Sequence, residues 1–368
     1  MESLVISRAP FFDYFGENSD VFSKQTELSP IEMDFSTNLA SNILQNILQY
    51  RRSPSSHSNC TLTCYSCHSP HLSKVISAIQ SSKPITFVLP AFPGKSPNLS
   101  KVLSPLPDMA ERLALQFLEL LCERIRKIYA PGAKIILCSD GRVFSDIVGM
   151  RETDITNYQN ELDKMIMELG LKNITTFNLD ELCEGKDFIQ MRNELLENFG
   201  SPLELLKDKV QRGSKLIGQS EDEDAHRMYC GITRFLVEDA TFPGQTKSRS
   251  SIQKECKAKA YELIRRSNAW SELISQQFPE AVRLSIHPQT CGSKKLGIRL
   301  VGNESWLTPW HGVALKTNEG FMLIKRTEAE AKGAQLVFSA SGRPSHYELS
   351  KNRSSNTVNE NLRFENEI

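Results

Sequence analysis

The segment from residue 85 to 178 alternates two kinds of apolar pattern, and this alternation restricts the fold more than any other feature. Short apolar runs typical of buried strands occur at 85–89, 135–137 and 174–177. Helical spacing of apolar residues lies between them, from Asp108 onwards and over 154–169. Strands that alternate with helices predict an α/β fold, with a parallel sheet covered by helices.

Other patterns extend this prediction along the chain. Helical spacing is seen over 31–50 and 72–79, and the region 187–277 is mainly helical. Beyond residue 281, short β-rich runs predict strands of a mixed sheet, at 282–286, 297–301, 313–316, 321–324 and 335–338. We expect three parts, namely a variable helical extension (1–71), a main domain (72–349) and a polar tail (350–368).

Bulk composition excludes several classes of function. The 44 basic residues balance the 44 acidic ones, which argues against a nucleic-acid-binding surface across the whole chain. Apolar runs are far shorter than the ~18 residues that span a bilayer, so no membrane segment is expected. The first ten residues lack the basic start of a signal peptide, and nine scattered cysteines do not form a secreted disulfide framework. A cytoplasmic protein with reduced thiols is expected.

The first polar loop follows the strand pattern at 85–89 and contains Gly94-Lys95-Ser96. A phosphate-binding loop would need glycine at position 89, where this chain has Leu89. Pro90 and Pro93 also lack the backbone N–H groups that cradle phosphates. These residues exclude a nucleotide loop, while Lys95 in a rigid proline-flanked loop remains suited to holding one anionic group.

The second polar loop follows the strand pattern at 135–137 and contains two carboxylates. Gly141 permits a sharp turn between Asp140 and Asp146. Both carboxylates could act as general bases or orient a cationic amine. The alternative is local, with Asp140 capping the turn and Asp146 pairing with a neighbour. Residue patterns alone leave both interpretations open.

Three histidines, His287, His311 and His346, lie at strand or loop edges in the C-terminal third. A single histidine is more often structural, but three in similar positions favour a shared site that titrates near neutrality. Arg343 is a candidate fork for phosphate or carboxylate. The basic stretch around Arg249 is either a solvated helix cap or an anion site at a helix N-terminus.

A cysteine- and histidine-rich segment precedes the main domain. Cys64 to His68 matches the pattern for covalent haem attachment, and the segment could hold zinc. Its members are His57, Cys60, Cys64, Cys67, His68 and His71. Nothing indicates export, which argues against haem, and the second cysteine pair of a zinc finger is missing. We therefore expect neither a metal nor another cofactor.

Several of these blocks together resemble the pyoverdine/dityrosine biosynthesis family. The similar strings occur in order over about 72–347, at 87–96, 101–103, 107–108, 139–146 with Tyr158, 283–288, 309–313 and 342–347. The resemblance implies a Rossmann-like core and an isonitrile synthase that acts on an L-amino acid. It also implies ribulose 5-phosphate as the one-carbon donor, without a metal or redox cofactor.

The family resemblance leaves the product open. A relative in yeast spore-wall formation gives N-formyl tyrosine instead, and a non-catalytic small-molecule-binding protein of the same fold is a third interpretation. The expected partners are the amino-acid and sugar-phosphate substrates and further pathway enzymes that act on the isonitrile. We expect a stand-alone enzyme from a fungal pathway.

Two groups of site residues follow from the patterns and the resemblance. A sugar phosphate needs a cationic clamp with hydrogen-bond donors, and an amine that attacks a carbonyl must lose its proton to a base. The candidate binding residues are Lys95, Ser96, Lys101, Arg142, Arg249 and Arg343. The candidate catalytic residues are Asp140, Asp146, His287, His311 and His346.

Overall fold

Ten helices and nine strands can be followed in a computed structural model that describes residues 30–53, 60–183, 185–215, 221–301 and 307–349. The helices are α1 (Pro30–Leu48), α2 (Tyr65–Gln80), α3 (Met109–Ile128), α4 (Gly141–Val148), α5 (Glu152–Glu168), α6 (Phe188–Phe199), α7 (Leu203–Gly213), α8 (Glu221–Ala240), α9 (Arg249–Gln277) and α10 (Arg326–Ala331). The strands are β1 (Ile85–Pro90), β2 (Ala133–Cys138), β3 (Ile174–Phe177), β4 (Val282–Ser285), β5 (Leu296–Gly297), β6 (Val313–Thr317), β7 (Gly320–Ile324), β8 (Gln335–Phe338) and β9 (Pro344–Glu348).

The strands form two sheets. The first has the order β3-β2-β1-β4-β5, and all of its neighbouring strands are parallel. The second has the order β7-β6-β9-β8 and mixes parallel and antiparallel pairs. These sheets confirm the predicted α/β fold with a β-rich C-terminal portion.

Helices cover both faces of the parallel sheet, as the residues of β1 show. Phe87 and Leu89 pack with α1, α2, α3 and α5, whereas Val88, between them, packs with α4 and α6 to α9. Alternate strand residues point to opposite faces, so a strand buried on both faces needs a continuous apolar run. Helix α1 contributes Ile43 and Leu44 to the first face. The predicted boundary at residue 71 stays a prediction.

Local structure departs from the sequence-based prediction at three places. Residues 141–148 form α4 rather than a loop, and its first residue touches the loop after β1, where a Cβ on Gly141 would lie 2.0 Å from the Pro93 carbonyl oxygen. Strand β5 covers only Leu296–Gly297, and the next residue, Ile298, forms an antiparallel bridge with Arg51. Strand β9 was not predicted, since its run contains Pro344 and His346.

Within the described part of the chain, every helix is too short or too polar to cross a membrane.

Candidate functional site

The order of the parallel strands marks one place where a ligand site is expected. From β1, the chain continues to β2 on one side, while β4 and then β5 lie on the other side. In open α/β sheets, ligands bind beyond the carboxyl ends of the strands at such a reversal. The bordering segments are the loop after β1, the start of α4 and the residues that follow β4.

Asp140 lies at this edge, directly after β2 and before α4. Its side chain makes no helix-capping hydrogen bond, and its buried Oδ1 accepts none from the described residues. Loss of hydration raises the pKa of Asp140 to about 7, although the charge of Arg283 acts in the opposite direction. This carboxyl group can therefore take up or release a proton near neutral pH.

The sequence analysis missed two half-buried cations, Arg283, which lies near Asp140, and Lys295, which lies near Arg283. Arg283 on β4 donates to Ser271 Oγ at 3.0 Å, while its buried Nη1 has no hydrogen-bond partner among the described residues. Burial lowers the pKa of Arg283 to about 10. Lys295 has its pKa lowered to about 8 by burial and by the charge of Arg283. A carboxylate or phosphate would satisfy both cations.

His287 follows β4 at the same edge. Its side chain is open to solvent, yet desolvation and the charges of Arg52 and Lys295 lower its pKa. The imidazole is therefore neutral at pH 7 and able to accept a proton.

A second polar cluster forms around Asp239, on the last turn of α8. Its Oδ1 accepts hydrogen bonds from Ser96 Oγ at 2.8 Å and from Lys101 Nζ at 2.5 Å. His311 Nε2 lies 3.6 Å from Oδ2, which is longer than a hydrogen bond. Burial would raise the pKa of Asp239, but His311 and Lys101 outweigh burial and hold this pKa below its usual value.

His311 is held from three sides. Its Nδ1 lies 3.1 Å from Thr308 Oγ1, and Phe235 packs edge-on against the ring. Burial lowers the pKa of His311 and outweighs the attraction of Asp239. The side chains of His311 and Lys101 keep 22% and 18% of their surface exposed, so both can meet a ligand.

Asp239 also borders a cavity of ≈ 260 Å³ between α4, α8 and α9. Lys247 and Lys259 line the same cavity, although Lys247 already pairs with Glu255 at 2.8 Å. Sequence reasoning missed Asp239 because a carboxylate on an amphipathic helix normally faces water. Its proximity to Ser96 and His311 is created by the fold.

The Lys95 side chain lies in the protein interior, whereas the sequence predicted that it would hold an anionic ligand. Its fully buried ammonium contacts Asp108 Oδ2 at 3.0 Å and Glu111 Oε2 at 2.7 Å, and it donates to the Pro309 carbonyl at 3.0 Å. The N–H of Ser96 donates to the Trp310 carbonyl. Lys95 and Ser96 therefore brace the turn that carries His311. Anion binding by Lys95 stays a prediction that this geometry does not favour.

Arg142 and Asp146, both on α4, form ion pairs with residues of neighbouring segments. Arg142 is buried, pairs with Glu152 and Asp180, and lies over the Phe188 ring. Asp146 accepts from Arg266 Nη1 at 2.7 Å. Both side chains therefore join helices in this structure, and their predicted catalytic and binding roles stay predictions.

The other predicted residues lie apart from the two clusters. Arg343 pairs with Glu161 at 2.8 Å, and Arg249 is the exposed first residue of α9. His346 lies on β9, where its Nδ1 is 3.0 Å from Ser345 Oγ. His346 belongs to the second sheet, so the three predicted histidines do not form one cluster with shared contacts. Their roles stay predictions.

Comparisons with known proteins agree with the resemblance in the sequence. Residues 75–337 match the model of the family described as pyoverdine/dityrosine biosynthesis protein. The chain is 43% identical to L-tryptophan isonitrile synthase AmbI1 of Fischerella ambigua, over 85% of this chain and 96% of that protein. It is 42% identical to an L-tyrosine isonitrile synthase of Pseudomonas aeruginosa, over 84% and 94% of the two chains.

A more distant relative and one solved structure extend these findings. The spore wall maturation protein DIT1 of Saccharomyces cerevisiae is 28% identical, over 64% of this chain and 52% of that protein. The crystal structure of PvcA from Pseudomonas aeruginosa is similar with a TM-score of 0.77 and 42% identity, over 84% and 99% of the chains. The expected fungal source is not supported, because the two isonitrile synthases named above, at 43% and 42% identity, are bacterial. The chain belongs to the pyoverdine/dityrosine biosynthesis family and is an enzyme that forms carbon–nitrogen bonds.

Proposed function

We propose that this chain is an isonitrile synthase that converts the amino group of an L-amino acid to an isonitrile, with ribulose 5-phosphate as the one-carbon donor. The observation that carries the proposal is the Asp140 carboxyl group at the strand-order reversal, whose buried Oδ1 has no hydrogen-bond partner among the described residues and whose pKa is raised to about 7. Arg283 supplies positive charge to Asp140, and Lys295 lies close enough to Arg283 for their charges to interact. Relatives named as isonitrile synthases support an isonitrile as the product.

The proposed chemistry begins with the amine. An ammonium group cannot attack a ketone carbonyl, so Asp140 takes its proton, and the free amine adds to the sugar carbonyl. Loss of water then gives an imine whose carbon still carries two sugar carbons. Both of these carbon–carbon bonds must break to leave one sugar carbon on the nitrogen, one electron pair staying on that carbon and the other departing with a sugar fragment. His287, neutral at pH 7, is the candidate for the further proton transfers.

The two anionic groups of the substrates need separate cations. Arg283 offers a planar guanidinium with a free Nη1 for the amino-acid carboxylate, and Lys295 offers a compact charge for the sugar phosphate. Lys101 and His311, which remain accessible beside Asp239, are the candidates for the sugar hydroxyls. We propose that the enzyme acts in the cytoplasm and that further pathway enzymes use its isonitrile product as their substrate.

An aromatic amino acid is the proposed substrate class, because the named bacterial relatives act on L-tryptophan and L-tyrosine. Purified protein is incubated with ribulose 5-phosphate and a panel of amino acids, and products are identified by mass spectrometry. The expected product has an isonitrile mass with Trp or Tyr. A product heavier by one water is the formamide and favours the spore-wall type of reaction. If no amino acid leads to consumption of the sugar, the proposal is wrong.

A further inference from the structure

Four cysteine sulfurs converge beside the parallel sheet, at the amino end of α2. Three belong to the segment noted in the sequence, Cys60, Cys64 and Cys67, and the fourth is Cys291 in the loop after β4. All four Sγ atoms lie within 4.8 Å of one another. The sequence analysis disfavoured zinc because the second cysteine pair of a zinc finger was missing. The fold instead brings a fourth cysteine, Cys291, from more than 200 residues away.

The distances among these sulfurs fit one metal ion. Cys291 Sγ lies 3.5 Å from Cys67 Sγ and 3.6 Å from Cys64 Sγ. Zinc–thiolate bonds are about 2.3 Å long, which places neighbouring sulfurs of a tetrahedron about 3.8 Å apart. The observed group is therefore close to the size of a tetrahedral ZnS₄ unit.

Other chemistries fit these four sulfurs less well. All nine cysteines of the chain are free thiols, so the group is not a pair of disulfides in this structure. An iron–sulfur cluster needs iron and sulfide atoms between the thiolates, and sulfurs this close leave no room for them. Tetrahedral sites with four sulfur ligands select zinc among the common divalent ions that have no redox chemistry.

A basic side chain and a histidine surround the group. Arg51 Nη1 donates to Cys67 Sγ at 3.2 Å, and its Nη2 donates to the Cys60 carbonyl at 3.1 Å. Four thiolates around Zn²⁺ carry a net charge of −2, which a neighbouring guanidinium offsets in part. His68 Nε2 is occupied by the Leu62 carbonyl at 2.8 Å, so His68 fixes the loop rather than supplying a ligand. His57 lies outside the described residues.

We propose that Cys60, Cys64, Cys67 and Cys291 bind one structural zinc ion. The ion ties the amino end of α2 to the loop that follows β4. Cys291 lies four residues after His287, so the same ion fixes the loop that carries His287. Closed tetrahedral sites of this kind contribute directly to folding stability. The proposal is independent of the reaction that the enzyme performs.

Metal content of the purified full-length protein tests the proposal. Elemental analysis is expected to give one zinc per chain, and Cys291→Ser is expected to lower this at least tenfold. The control Cys230→Ser, at an exposed cysteine away from the group, keeps one equivalent. Protein loaded with Co²⁺ is expected to show the visible bands of a tetrahedral ion and thiolate charge transfer in the near ultraviolet.

A second measurement uses the unmodified chain, in case Cys291→Ser does not fold. Titration with a mercurial thiol reagent is expected to release one zinc, in step with modification of four thiols. Four outcomes overturn the proposal: less than a tenth of an equivalent of zinc in protein expressed with added zinc and purified under reducing conditions; iron in place of zinc; full zinc in Cys291→Ser; or disulfides among these cysteines in freshly reduced protein.

Discussion

Asp140 and Asp146 show how two carboxylates that look alike in the sequence acquire different chemistry. Asp140 is half-buried at a strand end, its buried Oδ1 has no hydrogen-bond partner among the described residues, and desolvation raises its pKa. Asp146, two turns along α4, is 43% exposed and pairs with Arg266. Only the first has the environment of a group that exchanges protons near neutrality.

Asp140→Asn is expected to lower turnover by about 10²- to 10⁴-fold, the usual contribution of a general acid or base. The matched control Asp146→Asn removes an ion pair that is partly exposed and costs about 0.2–1 kcal/mol of stability. Turnover of the control is expected to stay near that of the wild type. Steady-state rates of product formation test both variants, and equal losses in the two would contradict the assignment.

The same substitution has a pH signature in stability. The pKa of Asp140 is raised to about 7 in the folded state, against about 3.9 in unfolded chains. Between these values the folded state binds more protons, so the Asp140 contribution lowers stability as pH rises from about 4 to 7. Asp140→Asn removes this effect. Its melting temperature relative to the wild type is expected to rise between pH 5 and pH 8, and a constant difference would contradict the desolvated carboxylate.

Asp239 joins three predicted site residues, and its charge is central to that cluster. Asp239→Asn weakens the contacts with Lys101, Ser96 and His311, and charge-assisted hydrogen bonds contribute about 1.5–3 kcal/mol each. Denaturant unfolding is expected to show a loss of that order, together with reduced turnover. The control Glu238→Gln changes the adjacent, exposed carboxylate that pairs with Arg234 and should alter neither quantity appreciably. Similar losses in the control would exclude a special role for Asp239.

At the scale of elements, the loop after β1 acts as a brace between α3 and the turn that carries His311. Asp108 and Glu111 form a capping box at the start of α3, and both also contact Lys95. Tyr158 adds a hydrogen bond from α5 to Glu111 at 3.2 Å. A motif that resembles a phosphate loop is thus an internal ion-pair network in this chain.

Lys95→Met distinguishes this bracing role from anion binding. Removing one partner of a buried ion pair leaves uncompensated charge and costs about 3–5 kcal/mol. We therefore expect a large drop in the denaturation midpoint. A raised KM for the sugar phosphate with unchanged stability would instead support the sequence-based role in binding. Lys101→Met, at a half-buried lysine of the same loop, is the matched variant for which a change in KM is expected.

Helices and strands could be predicted from the sequence where the spacing of nearby apolar residues determines them. The strands at 85–90, 133–138 and 174–177 and helix α3 follow directly from apolar spacing and the Asp108 cap. Asp140 was predictable because strand ends of α/β folds carry functional side chains. The sequence did not predict a role for Arg283, Asp239 or Cys291, because each role depends on contact with a residue far away in the chain. For Arg283, the sequence did contain a signal of a functional role, because an arginine within an apolar strand is unusual.

At the scale of the whole molecule, helix α1 contributes side chains to the main core. Leu44 is fully buried among residues of the first face of the sheet. Leu44→Ala is expected to cost about 2–5 kcal/mol and to shift the entire unfolding transition. Phe35→Ala, in the same helix at a side chain that is 65% exposed, is the control and should change little. A separate early transition in Leu44→Ala would show that α1 folds independently.

The pairing of β1 with β4 also determines when the proposed site at the carboxyl ends of these strands can form. Val88 pairs with Arg283, about 195 residues later in the chain. Contacts so distant in sequence form slowly, since the entropy of closing a long loop is lost before any contact stabilises the pair. During synthesis on the ribosome, β1, β2 and their helices can assemble early, while Arg283, His287 and Lys295 are still to be made. A nascent or truncated chain that ends before β4 therefore exposes an unpaired edge of β1, which makes it a target for chaperones and prone to aggregation.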